Sequence, residues 1–150
     1  MDKYIDEIVM EANNGVLNQE GGPFGAVVVD RNGKIIGKGH NTVLKDHDPT
    51  CHAEVNAIRD ACKNIGSHKL NDCIIVTVCE PCPMCLSTII WSNIKKVYYA
   101  FTRSDADRIG FRDEAIYDYL GGKDDNLLTL EKFSSDSCRK LFDNYKGEIY

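Results

Sequence analysis

The sequence has 150 residues, 43% apolar and 27% charged, with 18 Lys and Arg against 23 Asp and Glu and a formal net charge of −5. That length fits one globular domain over residues 1–150, and a mean hydropathy of −0.33 with no uncharged apolar run near the roughly 20 residues of a bilayer span excludes disorder and membrane helices. An acidic chain repels a polyphosphate backbone, which argues against nucleic acid as a partner.

Tyr4, Ile5, Ile8, Val9, Ala12, Val16 and Leu17 recur at helical spacing and predict an amphipathic helix that the Gly21-Gly22-Pro23 break closes. Residues 24–30 and 35–41 read as two strands around Asn32-Gly33, a dipeptide that accepts the positive φ of a tight hairpin, so they should pair antiparallel. A polar loop follows over 42–50, and residues 52–63 place Val55, Ile58, Ala61 and Cys62 on one helical face. The unbroken run 73–79 suits a strand covered on both faces at the centre of a sheet. Pro81 opens a helix over 82–91, and residues 96–101 form the next strand, completing a β-α-β unit. Downstream, 113–120 reads as a helix and 126–130 as a further strand. Cys138, Leu141, Phe142 and Tyr145 recur at helical spacing behind a cap at Ser134-Ser135-Asp136. Strands alternating with helices predict a three-layer α/β architecture around a mixed sheet.

Seven cysteines are many for this length, but the number is odd, and Met1-Asp2-Lys3-Tyr4-Ile5-Asp6-Glu7 lacks the cationic flank and apolar run of a secretory leader. The expectation is a cytoplasmic protein whose cysteines are small buried hydrophobes or metal ligands.

Two motifs carry chemistry: His52-Ala53-Glu54 and Pro81-Cys82-Pro83-Met84-Cys85, each at the start of a helix. Cys82 and Cys85, three apart, can occupy neighbouring vertices of a zinc tetrahedron, and His52 completes three ligands. Three protein ligands leave a vertex for a water whose pKa falls toward about 7, the mark of a catalytic site. Glu54 is poorly placed to co-ligate with His52 and better placed to carry protons from that water to a ring nitrogen and on to a departing amine, which is hydrolytic deamination. A thioredoxin-like dithiol is the main competing reading of Cys82 and Cys85. A four-ligand structural site drawing on Cys51, Cys79, His40 or His47 is another. His40, His47 and His68 otherwise read as solvated.

The paired motifs resemble the zinc nucleobase-deaminase signature, and the chain resembles the cytidine deaminase-like superfamily. Its shared stretches are Gly21-Gly22-Pro23-Phe24-Gly25, Asn41, Asp48-Pro49-Thr50-Cys51-His52-Ala53-Glu54 and Cys79-Glu80-Pro81-Cys82-Pro83-Met84-Cys85. Trp91, Asp105-Ala106-Asp107-Arg108-Ile109-Gly110-Phe111, Asp113 and Tyr150 shift the likeness toward small bacterial guanine deaminases.

The resemblance implies a three-layer α/β/α fold with a mixed five-stranded sheet, one zinc ion per chain with a bound water, and conversion of guanine to xanthine and ammonia. It also implies a homodimer in which a segment from about 133 to 150 is exchanged. Under it, Glu54 and Asp113 are catalytic; Asn41, Phe24, Trp91, Asp113 and Tyr150 bind the purine; and Arg112, where the family picture has an acid, is a cation able to pair with Asp113. Deamination of guanosine, cytosine, an aminotriazine or tRNA adenosine is the nearest alternative, the last disfavoured by the acidic surface. A non-catalytic zinc or dithiol protein is a more distant one.

Overall fold

The structure, a computed structural model, describes residues 1–124 and 126–149. It opens with α1 (Asp2–Leu17), followed by β1 (Gly25–Val29), β2 (Ile35–His40), a short α2 (Val43–Asp46) and α3 (Ala53–Ile65). Then come β3 (Ile74–Cys79), α4 (Pro83–Trp91), β4 (Lys96–Phe101), α5 (Arg103–Arg108), α6 (Glu114–Leu120) and α7 (Asp136–Asp143).

The sheet order is β2-β1-β3-β4. β1 pairs antiparallel with β2 and with β3, while β3 and β4 run parallel across α4, as a β-α-β unit demands. Gly33 takes φ +77° at the hairpin, which fits the Asn32-Gly33 reading. Alternation along the strands separates two cores. Val27, Val29 and Val76 pack with Ile8 of α1, while Ala26, Val28 and Ile75 pack with Ala53, Ala57, Ile58 and Ala61 of α3 and Ile89 of α4. Helices therefore cover both faces, giving three α/β/α layers.

The expected fifth strand is absent among the described residues. Residues 126–130 form no ladder, because neither sheet edge accepts them and Leu127, Leu128 and Leu130 are left exposed. Two helices absent from the sequence reading appear instead. Leu44 and Lys45 N–H groups donate to Glu20 O, anchoring α2 within the polar loop. α5 starts from a capping box, in which the Thr102 side chain accepts from Asp105 N and Thr102 N donates to Asp105 Oδ2. No helix among the described residues is long and apolar enough to cross a membrane.

Candidate active site

α3 and α4 begin side by side at the C-terminal end of β3, where an open α/β sheet offers a crevice. His52 is the N-cap of α3 and Cys82 the N-cap of α4, both with extended backbones, and Cys85 lies one turn into α4. His52 Nδ1 stands 3.6 Å from each of Cys82 Sγ and Cys85 Sγ. That separation equals the edge of a tetrahedron with Zn–S of about 2.3 Å and Zn–N of about 2.0–2.1 Å. These three form a group able to hold a metal, with their ligand atoms all within 4.8 Å of one another. The other candidates for a fourth ligand fall outside it. His40 bonds Glu11 and Glu20, and Cys79 Sγ faces Thr102 O.

The donor set fits a cation on electrostatic grounds as well. Cys82 is pulled down to about 4 because the Cys85 thiol hydrogen-bonds to its sulfur and His52 does likewise. Cys85 is pushed up by that same shared proton and by burial. Two adjacent thiolates can both ionise once a dication stands between them.

Glu54 is 5% exposed. Thr77 Oγ1 donates to its Oε1 at 3.0 Å, and Cys85 Sγ lies 3.3 Å from its Oε2. Burial drives the Glu54 carboxyl pKa upward against these hydrogen bonds. A carboxylate so held accepts a proton more readily than one in water.

His52 and Cys82 of this group line a cavity of about 450 Å³, within the range of small-molecule sites, together with Glu54, Phe24, Asn41 and Asp113. Asn41 is buried, and its Oδ1 accepts from Val43 N at 3.2 Å, so one amide both turns the chain and faces the cavity. Space is kept by glycine. A Cβ at Gly21 would fall 2.1 Å from Asn41 Oδ1, and one at Gly22 2.7 Å from the Phe111 ring. Phe24 meets Phe111 edge to face at 4.8 Å between centroids.

Asp113 caps α6 without a side-chain cap bond and lines the cavity. Burial raises its pKa, and the Arg103 charge pulls it back. Arg112 pairs with Asp107, Nε to Oδ1 at 2.8 Å, and leaves Asp113 free of it.

Trp91 departs from its expected place on the base. It is 71% exposed and absent from the cavity lining, because it ends α4, roughly 12 Å along the axis from Pro83 at about 1.5 Å per residue. Tyr150 lies outside the described residues. Thr77, Leu44 and Arg103, which the sequence does not single out, and Glu80 and Phe111, which stand in the shared stretches without a role, also belong to the site or its wall. Thr77 left a trace, as the one hydroxyl in the run 73–79.

Residues 1–101 match the family model for the cytidine and deoxycytidylate deaminase zinc-binding region. A guanine deaminase of Bacillus subtilis is 51% identical over 114 residues, covering 76% of this chain and 72% of that protein. The X-ray structure of guanine deaminase from Bacillus subtilis superposes with a TM-score of 0.88 at 39% identity, covering 99% of this chain and 97% of that one. A tRNA-specific adenosine deaminase of Haemophilus influenzae is 38% identical over 97 residues, covering 65% of this chain and 56% of that protein. With its own triad geometry and these likenesses together, the chain belongs to the cytidine and deoxycytidylate deaminase zinc-binding family.

Proposed function

We propose that the protein is a guanine deaminase, a zinc-dependent aminohydrolase that converts guanine to xanthine and ammonia. What carries the reading is that His52, Cys82 and Glu54 line the same cavity as Asn41 and Asp113, with Cys85 completing the metal-holding group behind them, so hydrolytic machinery and base-reading groups share one space. The likeness to the Bacillus enzyme supports guanine as the base.

His52, Cys82 and Cys85 hold one zinc ion, which when bound supplies a Lewis acid that acidifies water near neutral pH. Glu54, fixed by Thr77, takes one proton of the attacking water at Oε2 and passes it to a ring nitrogen of the base, then takes the water's second proton and gives it to the departing amine. Phe24 and Phe111 wall the ring, the Asn41 amide donates to and accepts from it, and Asp113 accepts from its N–H groups. In this reading the protein is a homodimer, and Trp91 and Tyr150 reach the base from a second copy of the chain. The seven cysteines, all free, suit a cytoplasmic setting.

The tRNA adenosine reading draws on the Haemophilus likeness but meets a net charge of −5. Ammonia release from guanine, guanosine, cytosine, cytidine, adenine and a tRNA hairpin by the zinc-loaded protein separates them. Guanine alone should react well, and turnover confined to the hairpin would reverse the assignment.

A further inference from the structure

Arg103 opens α5 directly after β4 and lines the cavity beside Asp113 and Glu80. It is held from three sides. Its backbone N–H donates to Glu80 Oε2 at 3.1 Å, the capping box fixes the turn before it, and its guanidinium carbon stands 4.1 Å from the centroid of the Tyr117 ring. Tyr117 Oη donates in turn to Pro81 O at 3.4 Å, which ties this stack to the residue preceding Cys82. Nη1 of Arg103 is nevertheless shut away from solvent with no hydrogen-bond partner, alone among buried side-chain nitrogens and oxygens of the described residues. A buried charged donor left unpaired is costly and calls for an explanation, and an acceptor brought into the adjoining cavity by a ligand supplies one. Arg112, the other cavity-lining arginine, is bound to Asp107 and does not share this feature.

We propose that Arg103 is a specificity-determining residue that donates a hydrogen bond to O6 of a 6-oxopurine while neighbouring Asp113 accepts from N1–H, so that the cavity selects a guanine-type edge over an adenine-type edge. The chemistry of the pair demands this order. A guanidinium only donates and an ionised carboxylate only accepts. A 6-oxopurine presents an acceptor next to a donor and matches both. Adenine presents its 6-amino donors to the guanidinium and its N1 lone pair to the carboxylate, leaving both charges unpaired, and sites built on such groups reject the mismatched analogue strongly. The planar fork of arginine is also the side chain best shaped for guanine's acceptors. The inference rests on the purine reading above and deepens it by naming the edge that is read.

The test is equilibrium binding of hypoxanthine and of adenine, by calorimetry, to the zinc-loaded wild type, Arg103→Gln and Arg103→Lys. Neither base carries an amine at C2, so a protein that failed to deaminate guanine would overturn the activity and leave this comparison intact. Wild type should prefer hypoxanthine by about tenfold or more, Arg103→Gln should shrink the preference to within about threefold, and Arg103→Lys should lose part of it. Zinc content and melting temperature identify a folded variant, and if the glutamine variant does not fold, the lysine variant carries the comparison. An absent preference in the wild type, one unchanged in the folded variants, or equal weakening of both bases would each overturn the proposal, the last assigning Arg103 a merely structural role.

Discussion

Glu54 concentrates the chemistry in one side chain. It sits two residues after His52, in the first turn of α3, with both carboxyl oxygens engaged and almost no solvent contact. Glutamine there keeps an acceptor for Thr77 but cannot carry a proton. Glu54→Gln should bind about one zinc per chain, melt near the wild-type temperature and lose about 10²–10⁴-fold in kcat, read by ammonia release alongside metal analysis. Undiminished turnover would remove Glu54 from the reaction. The grouping of His52, Cys82 and Cys85 is legible from sequence because ligand chemistry demands fixed residue types at short spacing. Thr77, Phe111 and Arg103 are ordinary residue types on distant segments that only the sheet topology brings together. Trp91 shows the converse, since an aromatic residue near a motif in sequence lies a full short helix away in space.

At the scale of elements, the cavity wall depends on a clasp outside it. His40, the last residue of β2, bonds Glu11 of α1 through Nδ1 at 2.8 Å and Glu20 of the following turn through Nε2 at 2.6 Å. Burial opposes the charged ring most strongly, yet the two carboxylates together hold its pKa above the ordinary value. Both ring nitrogens can donate only when the imidazole is protonated. A raised folded pKa makes this contribution complete below the unfolded value of about 6.5 and removes it as pH climbs through the folded value. His40→Gln should therefore lower stability by about 1–3 kcal/mol at pH 6 and by less at pH 9 in urea unfolding. Equal losses at both would separate the clasp from protonation. From sequence alone His40 reads as a solvated histidine, because its acidic partners lie far away in sequence. The hairpin, α3 and the β3-α4-β4 unit were legible because turn chemistry and periodicity agree there. α5 was not, since Arg-Ser-Asp-Ala-Asp-Arg offers no apolar stripe and only the Thr102–Asp105 box marks its start. Residues 126–130 misled because β-like composition does not supply a partner strand.

The whole molecule carries its apolar surface unevenly. Two cores sandwich the first hundred residues, while past β4 few apolar side chains are covered; Phe133 is 78% and Phe142 83% exposed. β4 ends the sheet with Tyr99 and Phe101 exposed, and Ile90 and Trp91 are exposed at the end of α4. Apolar side chains left open to solvent in such number favour association, and an unpaired edge strand invites it further. A second copy of this chain would cover these residues, and exchange of the segment from about 133 would bring α7 onto the partner. Light scattering of the full chain at micromolar concentration should give twice its 16.8 kDa. A chain ending at residue 132 should lose that dimer and, if the exchanged segment closes the cavity, deaminate guanine poorly while keeping its zinc. A monomeric full-length mass would refute the dimer. A truncated chain that stayed dimeric and fully active would keep the dimer and refute the exchange, placing the contact on β4 and the end of α4 alone.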